Sequence, residues 1–286
     1  MDVSHWQIKD GRIEAVAEQS EEIDIPEGIR EIAPFALAEH REMLELVLPD
    51  SLKKIGAHAF YNCRSLVQVS FSDALDDIGD GAFKNCEKIK RLIVRRKSGR
   101  MRGLKDILSD LHQEIEVRIA GENGQEEARL VFPYYIMNYE ENTPARIVNQ
   151  IAEGSGVEYR NCISSGGIDF LFYDRLFDSN IAVDLKGASA RIAMARLLFP
   201  VSLTQKAEEQ YRAYLLAHAR SIVRQMIDAD REQDVMDFLN LTLTDHAFLT
   251  ETIEYARAGG HSQALSALLN YERSRFGRQR KSYDFF

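Results

Sequence analysis

Between residues 23 and 115 the chain repeats itself every 23 residues, and few folds tolerate that. Leu46-Val47-Leu48-Pro49, Val69-Ser70-Phe71-Ser72 and Leu92-Ile93-Val94-Arg95 are successive copies, with Ile23-Asp24-Ile25-Pro26 one period earlier. The register runs through the whole unit: Ile29, Leu52, Leu75; Ile32, Ile55, Ile78; Ala36, Ala59, Ala82; Leu37, Phe60, Phe83; Met43, Leu66, Ile89. Asn62-Cys63 returns as Asn85-Cys86. A fixed period of this length, with apolar residues at the same places, is the mark of a solenoid, in which each unit buries its core against its neighbours.

The first two apolar positions of each unit flank one outward residue, the alternation of a strand with one buried face. Pro49 then removes a main-chain donor and ends pairing. The later apolar positions are three or four residues apart, which predicts a helical or 3₁₀ turn on the back of each coil. The unit L-P-x-x-L-x-x-I-G-x-x-A-F-x-N-C-x-x-L resembles the leucine-rich repeats of the BspA-like type. That resemblance covers about a third of the chain and implies stacked coils with parallel strands. Many proteins with such repeats are secreted or surface adhesins. Here MDVSHWQIKDGRIEAV has neither a basic nor an apolar leader region, so the expectation is a cytoplasmic protein.

The net charge of −9 argues against nucleic-acid or membrane binding by the chain as a whole. Cys63 and Cys86 occupy equivalent places in adjacent coils and are expected as buried, reduced thiols. No CxxC pattern or HExxH pair suggests a metal.

Residues 1–22, with Trp6, Ile8, Ile13 and Val16, read as a cap over the open end of the core. Two outward rows, Glu22-Glu45-Gln68-Arg91 and Glu27-Asp50-Asp73-Arg96, run from acidic to basic, and Asp73, Asp76, Asp77 and Asp80 read as a solvated acidic edge. Residues 103–112 carry Leu104, Ile107, Leu108 and Leu111 on one helical face and predict a helix that closes the solenoid. Residues 115–132 predict a β-hairpin around GENGQ.

Asn142-Thr143-Pro144 reads as a helix start, leading into Ile147, Val148 and Ile151. Within residues 133–200, Cys162 with a distant His would be a nucleophile, but the sequence supplies it with no activating base. Tyr134, Tyr135, Tyr139, Phe170, Phe172, Tyr173 and Phe177 are expected as a small core. Ser202-x-x-Gln205 reads as a capping box. Farther on, Val223, Met226, Val235, Phe238 and Leu239 recur thirty residues later as Ile253, Ala256, Leu265, Leu268 and Leu269. The stretch from Ala256 to Leu269, with Gly260-His261, resembles ankyrin helices and makes His261 a turn residue.

Together these features predict an α+β protein in three parts: residues 1–133 as solenoid with cap, closing helix and hairpin, 134–200 as an α/β connector, and 201–286 as an ankyrin-like helical module. The expected function is non-enzymatic intracellular protein–protein interaction or scaffolding. The competing readings are an enzyme or effector with its site in residues 133–200, and a nucleic-acid module using 88–105. No residue is assigned to catalysis, cofactor or metal. The candidate partner-binding residues are Lys88, Lys90, Arg91, Arg95, Arg96, Lys97, Arg100 and Arg102, part of a nine-cation run without acidic residues that suits an acidic protein partner.

Overall fold

A computed structural model describes residues 6–17, 19–142, 147–184, 187–242 and 245–276. The chain divides into two compact units, Met1–Thr204 and Gln205–Phe286.

The first unit begins with an antiparallel hairpin, β1 (Trp6–Lys9) and β2 (Arg12–Val16). The coils then alternate longer and shorter strands: β3 (Glu22–Asp24), β4 (Glu31–Ile32), β5 (Glu45–Val47), β6 (Lys54–Ile55), β7 (Gln68–Ser72), β8 (Asp77–Ile78) and β9 (Arg91–Arg95). Helix α1 (Arg102–Ser109) takes the place of the next short strand, and the hairpin of β10 (Ile115–Ala120) and β11 (Glu126–Phe132) follows. The longer strands form a six-stranded sheet ordered β11-β10-β9-β7-β5-β3, parallel from β10 to β3. The partners lie 23 residues apart from β3 to β9, so the sequence period is the ladder register.

The back of the coil differs from the expected helical turn. Lys54-Ile55 and its equivalents form a second parallel sheet, ordered β1-β2-β4-β6-β8, with tight turns between it and the next long strand. Close approach explains the I-G pair of the unit: a Cβ on Gly56 would lie 2.4 Å from Pro34 N, and one on Gly79 2.3 Å from Ala57 N, in the preceding coil. Two left-handed positions recur in each coil, at Phe35, His58 and Gly81 (φ 59°, 56° and 62°) and at Glu39, Asn62 and Asn85 (φ 63°, 61° and 66°). Asparagine tolerates that conformation. Its side chains also form a ladder, with Asn85 Nδ2 donating to Asn62 Oδ1 at 2.8 Å and Asn62 Nδ2 donating to Glu39.

The core register positions are buried, with the exception of Ile78, which is half-buried at the end of the smaller sheet. Phe60 and Phe83 are fully buried and stacked, as are Leu66 and Ile89 above Met43. The thiols of Cys63 and Cys86 are buried and unbridged, each donating to a carbonyl of the preceding coil, Leu37 O at 3.2 Å and Phe60 O at 3.1 Å. The N-terminal cap is the β1–β2 hairpin, which adds to the smaller sheet; Trp6, Ile13 and Val16 are buried, whereas Ile8 is exposed. α1 buries Gly103, Leu104, Ile107 and Leu108, as its spacing predicts.

The helix expected after Asn142 is absent. Strands β12 (Ile136–Asn142) and β13 (Ile147–Glu153) pair antiparallel instead, and Thr143, Pro144 and their two neighbours lie outside the described residues. The β-branched Ile147 and Val148 favour extended backbone, and tertiary pairing overrides the capping signal. Then come α2 (Gly156–Arg160), the short hairpin β14 (Ile163–Ser164) and β15 (Gly167–Ile168), α3 (Phe170–Arg175), α4 (Phe177–Ala182) and α5 (Ala188–Leu198). Helix α5 packs on β11. Tyr135, Tyr173 and Phe177 of the expected aromatic core are buried; Tyr134, Phe170 and Phe172 are half-buried. The side chain of Tyr139 lies outside the described residues.

The second unit is helical: α6 (Gln205–Ala217), α7 (Ala219–Asp228), α8 (Glu232–Thr242), α9 (His246–Ala258) and α10 (Ser262–Phe276). Ser202 has left-handed backbone (φ 51°) and α6 begins at Gln205, so the expected capping box does not form. The thirty-residue recurrence is a repeated helical hairpin, α7–α8 then α9–α10. Each turn has one left-handed residue, Asp230 or Gly260, followed by the same contact: Arg231 N–H to Met226 O at 2.9 Å, and His261 N–H to Ala256 O at 3.0 Å. His261 is thus a turn residue; its Nε2 lies 3.4 Å from Asp228.

Candidate interaction surface

The outer face of the six-stranded sheet presents two rows of side chains. Glu22, Glu45, Gln68, Arg91 and Glu116 are neighbours in one, Asp24, Val47, Ser70, Ile93 and Arg118 in the other. The first row does not run simply from acid to base, because Glu116 follows Arg91 and bonds it at 3.3 Å. Burial pushes the Glu116 carboxyl up, but Arg118, Arg129 and Arg91 outweigh it and hold it below the usual carboxylate range.

The second sequence row, Glu27-Asp50-Asp73-Arg96, lies in the loops beyond the strands, and its carboxylates are structural. Glu27 accepts the N–H of Asp50 at 2.9 Å in the next coil. Asp73 accepts the N–H groups of Lys97, Ser98 and Gly99 at 2.9, 2.8 and 2.6 Å. Asp73 is only 4% exposed, which removes it from the expected solvated edge; Asp77 and Asp80 remain exposed there. A carboxylate just past the strand supplies an acceptor for loop N–H groups that no strand can pair.

The candidate basic residues divide by environment. Arg95 reaches back across two coils: Nε donates to Asp50 at 2.9 Å, Nη1 to Ser70 Oγ at 2.6 Å, and Nη2 to the Leu48 carbonyl. Lys97 pairs with the same Asp50 at 3.2 Å. Partial burial raises the Asp50 carboxyl, yet the hydrogen bonds from Arg95 and Lys97 leave it below its ordinary range. Arg91 bridges Gln68 and Glu116, Arg96 pairs with Glu127 at 2.9 Å, and Arg102 stands 3.9 Å from Asp106. Lys88, Lys90 and Arg100 are exposed and have no ion-pair partner among the described residues. Strand β9 separates Lys88 and Lys90 at its start from Arg96, Lys97 and Arg100 past its end. The run therefore wraps around a coil instead of forming one patch.

In residues 133–200, Cys162 is buried and its Sγ lies 4.0 Å from Glu158 O; burial and the carboxylates of Asp169 and Asp174 push the thiol up to about 12. Asp169 caps α3 by accepting Phe172 N–H at 2.8 Å. A shallow concavity of about 410 Å³ is lined by Ser164, Gly167, Asp169, Phe170, Leu171 and Ser202. The notable groups here are clamps. Arg160 is buried and donates to four carbonyls, Leu108, Gln113, Pro133 and Gly156, tying α2 to the closing helix of the solenoid; burial lowers its guanidinium to about 10. Arg196, fully buried, makes a two-pronged pair with Asp174 at 2.7 and 3.0 Å.

Among family models, residues 16–102 match the BspA type leucine rich repeat region in six copies. This segment is a BspA-type leucine-rich repeat region. Leucine-rich repeats are in general non-enzymatic modules that bind other proteins, and the open sheet face described above is the surface such a region offers. Comparison with curated proteins finds no match. Among the described residues no helix is long and apolar enough to cross a membrane, and no cluster of His, Cys, Asp and Glu could hold a metal ion.

Proposed function

We propose that the protein is a non-enzymatic cytoplasmic scaffold whose solenoid docks another protein, with an acidic partner meeting the exposed cations around β9. The observation that carries this reading is the stack itself: one rigid ladder from β3 to β10 with an open face. In this reading residues 1–133 recognise, 134–200 connect, and the helical hairpins of 201–286 add a second binding module of ankyrin-like type, on the strength of residues 256–269. The cytoplasmic placement draws on the three buried, unbridged cysteines.

Lys88, Lys90 and Arg100 are the cations free to steer a partner, because Arg91, Arg95, Arg96, Lys97 and Arg102 are engaged within the chain. Steering charges act mainly on association rate. The test captures the partner with the full chain and compares wild type with Lys88→Glu/Lys90→Glu/Arg100→Glu. Slower association with a weaker salt dependence, at an unchanged melting curve, is expected. Identical association kinetics at low and high salt would refute the docking role.

A further inference from the structure

The two sheets of the solenoid end differently at the N-terminal side. The smaller is extended by the β1–β2 hairpin, whereas among the described residues the larger ends at β3. Glu45 N–H donates to Glu21 O at 3.0 Å and Ile25 N–H to Val47 O at 2.9 Å. In a parallel ladder alternate residues serve opposite sides, so Glu21, Ile23 and Ile25 face β5 and the main chain of Glu22 and Asp24 faces away. The Glu22 carbonyl accepts the Ser20 hydroxyl at 3.0 Å. No hydrogen bond reaches the main chain of Asp24 among the described residues.

The same end of the sheet carries a group of unpaired acids. Glu21, Glu22 and Asp24 are exposed and have no ion-pair partner among the described residues. Farther along, Asp50, Glu116, Glu126 and Glu127 are all matched by arginine or lysine.

We propose that the β3 edge receives an extended basic segment of a partner protein as one further strand, with Lys or Arg at alternate positions. Such a strand would lie about 4.8 Å from β3 and place its outward residues in the rows of Glu22 and Asp24. Its main chain would meet the open N–H and C=O groups of Asp24. The carboxylates discriminate among occupants: an acidic strand is repelled, and a second copy of this edge would bring like charges face to face. This site is distinct from the cations around β9, and its fate does not depend on theirs.

The experiment is fluorescence anisotropy of the full chain with a labelled Lys-Val-Lys-Val-Lys-Val-Lys peptide, its glutamate counterpart, and the lysine peptide N-methylated at alternate amides. Saturable binding of the lysine peptide alone is expected, weakened about tenfold or more by high salt, by Glu22→Lys/Asp24→Lys and by N-methylation, since charge and main-chain pairing both contribute. The variant should keep its circular dichroism and melting curve, because both side chains are exposed. Unchanged binding to the variant, equal binding of the N-methylated peptide, or no saturable binding would each overturn the proposal.

Discussion

The rings of Phe60 and Phe83 lie 4.9 Å apart and 17° from parallel, one coil above the other, and both are fully buried. They are the largest repeated core side chains, so emptying one leaves a cavity that neighbouring coils cannot close. Phe83→Ala should cost about 3–5 kcal/mol in urea unfolding. A loss below about 1 kcal/mol would contradict the stacked register.

Arg95 should matter to stability more than its neighbours in sequence. It bonds Asp50, Ser70 and the Leu48 carbonyl, fastening three coils, whereas Arg96 makes one exposed pair with Glu127. Arg95→Ala should cost about 1.5–3 kcal/mol and Arg96→Ala about 0–1 kcal/mol. Equal losses in chemical denaturation would show that the long-range bonds contribute nothing.

Two buried tyrosines should respond oppositely to loss of a hydroxyl. Tyr173 OH donates to Val131 O at 2.7 Å and accepts Val131 N–H at 2.9 Å, while the buried Tyr159 hydroxyl has no hydrogen-bond partner among the described residues. Tyr173→Phe should destabilise by about 1–3 kcal/mol, and Tyr159→Phe should be neutral or stabilising. A destabilised Tyr159→Phe in thermal melts would mean that the hydroxyl is satisfied.

Cys162 gives a pH dependence with a definite sign. Its folded pKa of about 12 stands above the ordinary value of 9.0, so above pH 9 the unfolded chain loses a proton that the folded chain keeps. Stability should fall as pH rises from 9 towards 12, with this thiol contributing about 1.4 kcal/mol per pH unit. Cys162→Ala should flatten the stability curve between pH 9 and 10.5. An unchanged slope would contradict the burial of the thiol.

The solenoid was legible because its period fixes both the ladder register and the buried set; Ile55, Phe60 and Leu66 could be placed from spacing alone. The second sheet was not, since strands of two residues are too short to show alternation. The stretch after Asn142 misled because Ile147, Val148 and Ile151 suit either period, and Asn-Thr-Pro suits a turn as well as a cap. The basic run was visible as composition, but nothing local shows that Arg95 reaches a carboxylate 45 residues back. Arg160 was missed for the same reason, as three of its four acceptors are main-chain carbonyls 27 to 52 residues away in sequence.

Binding through the solenoid is tested most directly by hydrogen exchange on the full chain, alone and with its captured partner. Protection should concentrate on the strands and loops of the repeat region, above all residues 84–102 and the outer rows of β5, β7 and β9. Protection confined to residues 154–201, around the concavity beside Asp169, would contradict the scaffold reading and favour a site in that segment.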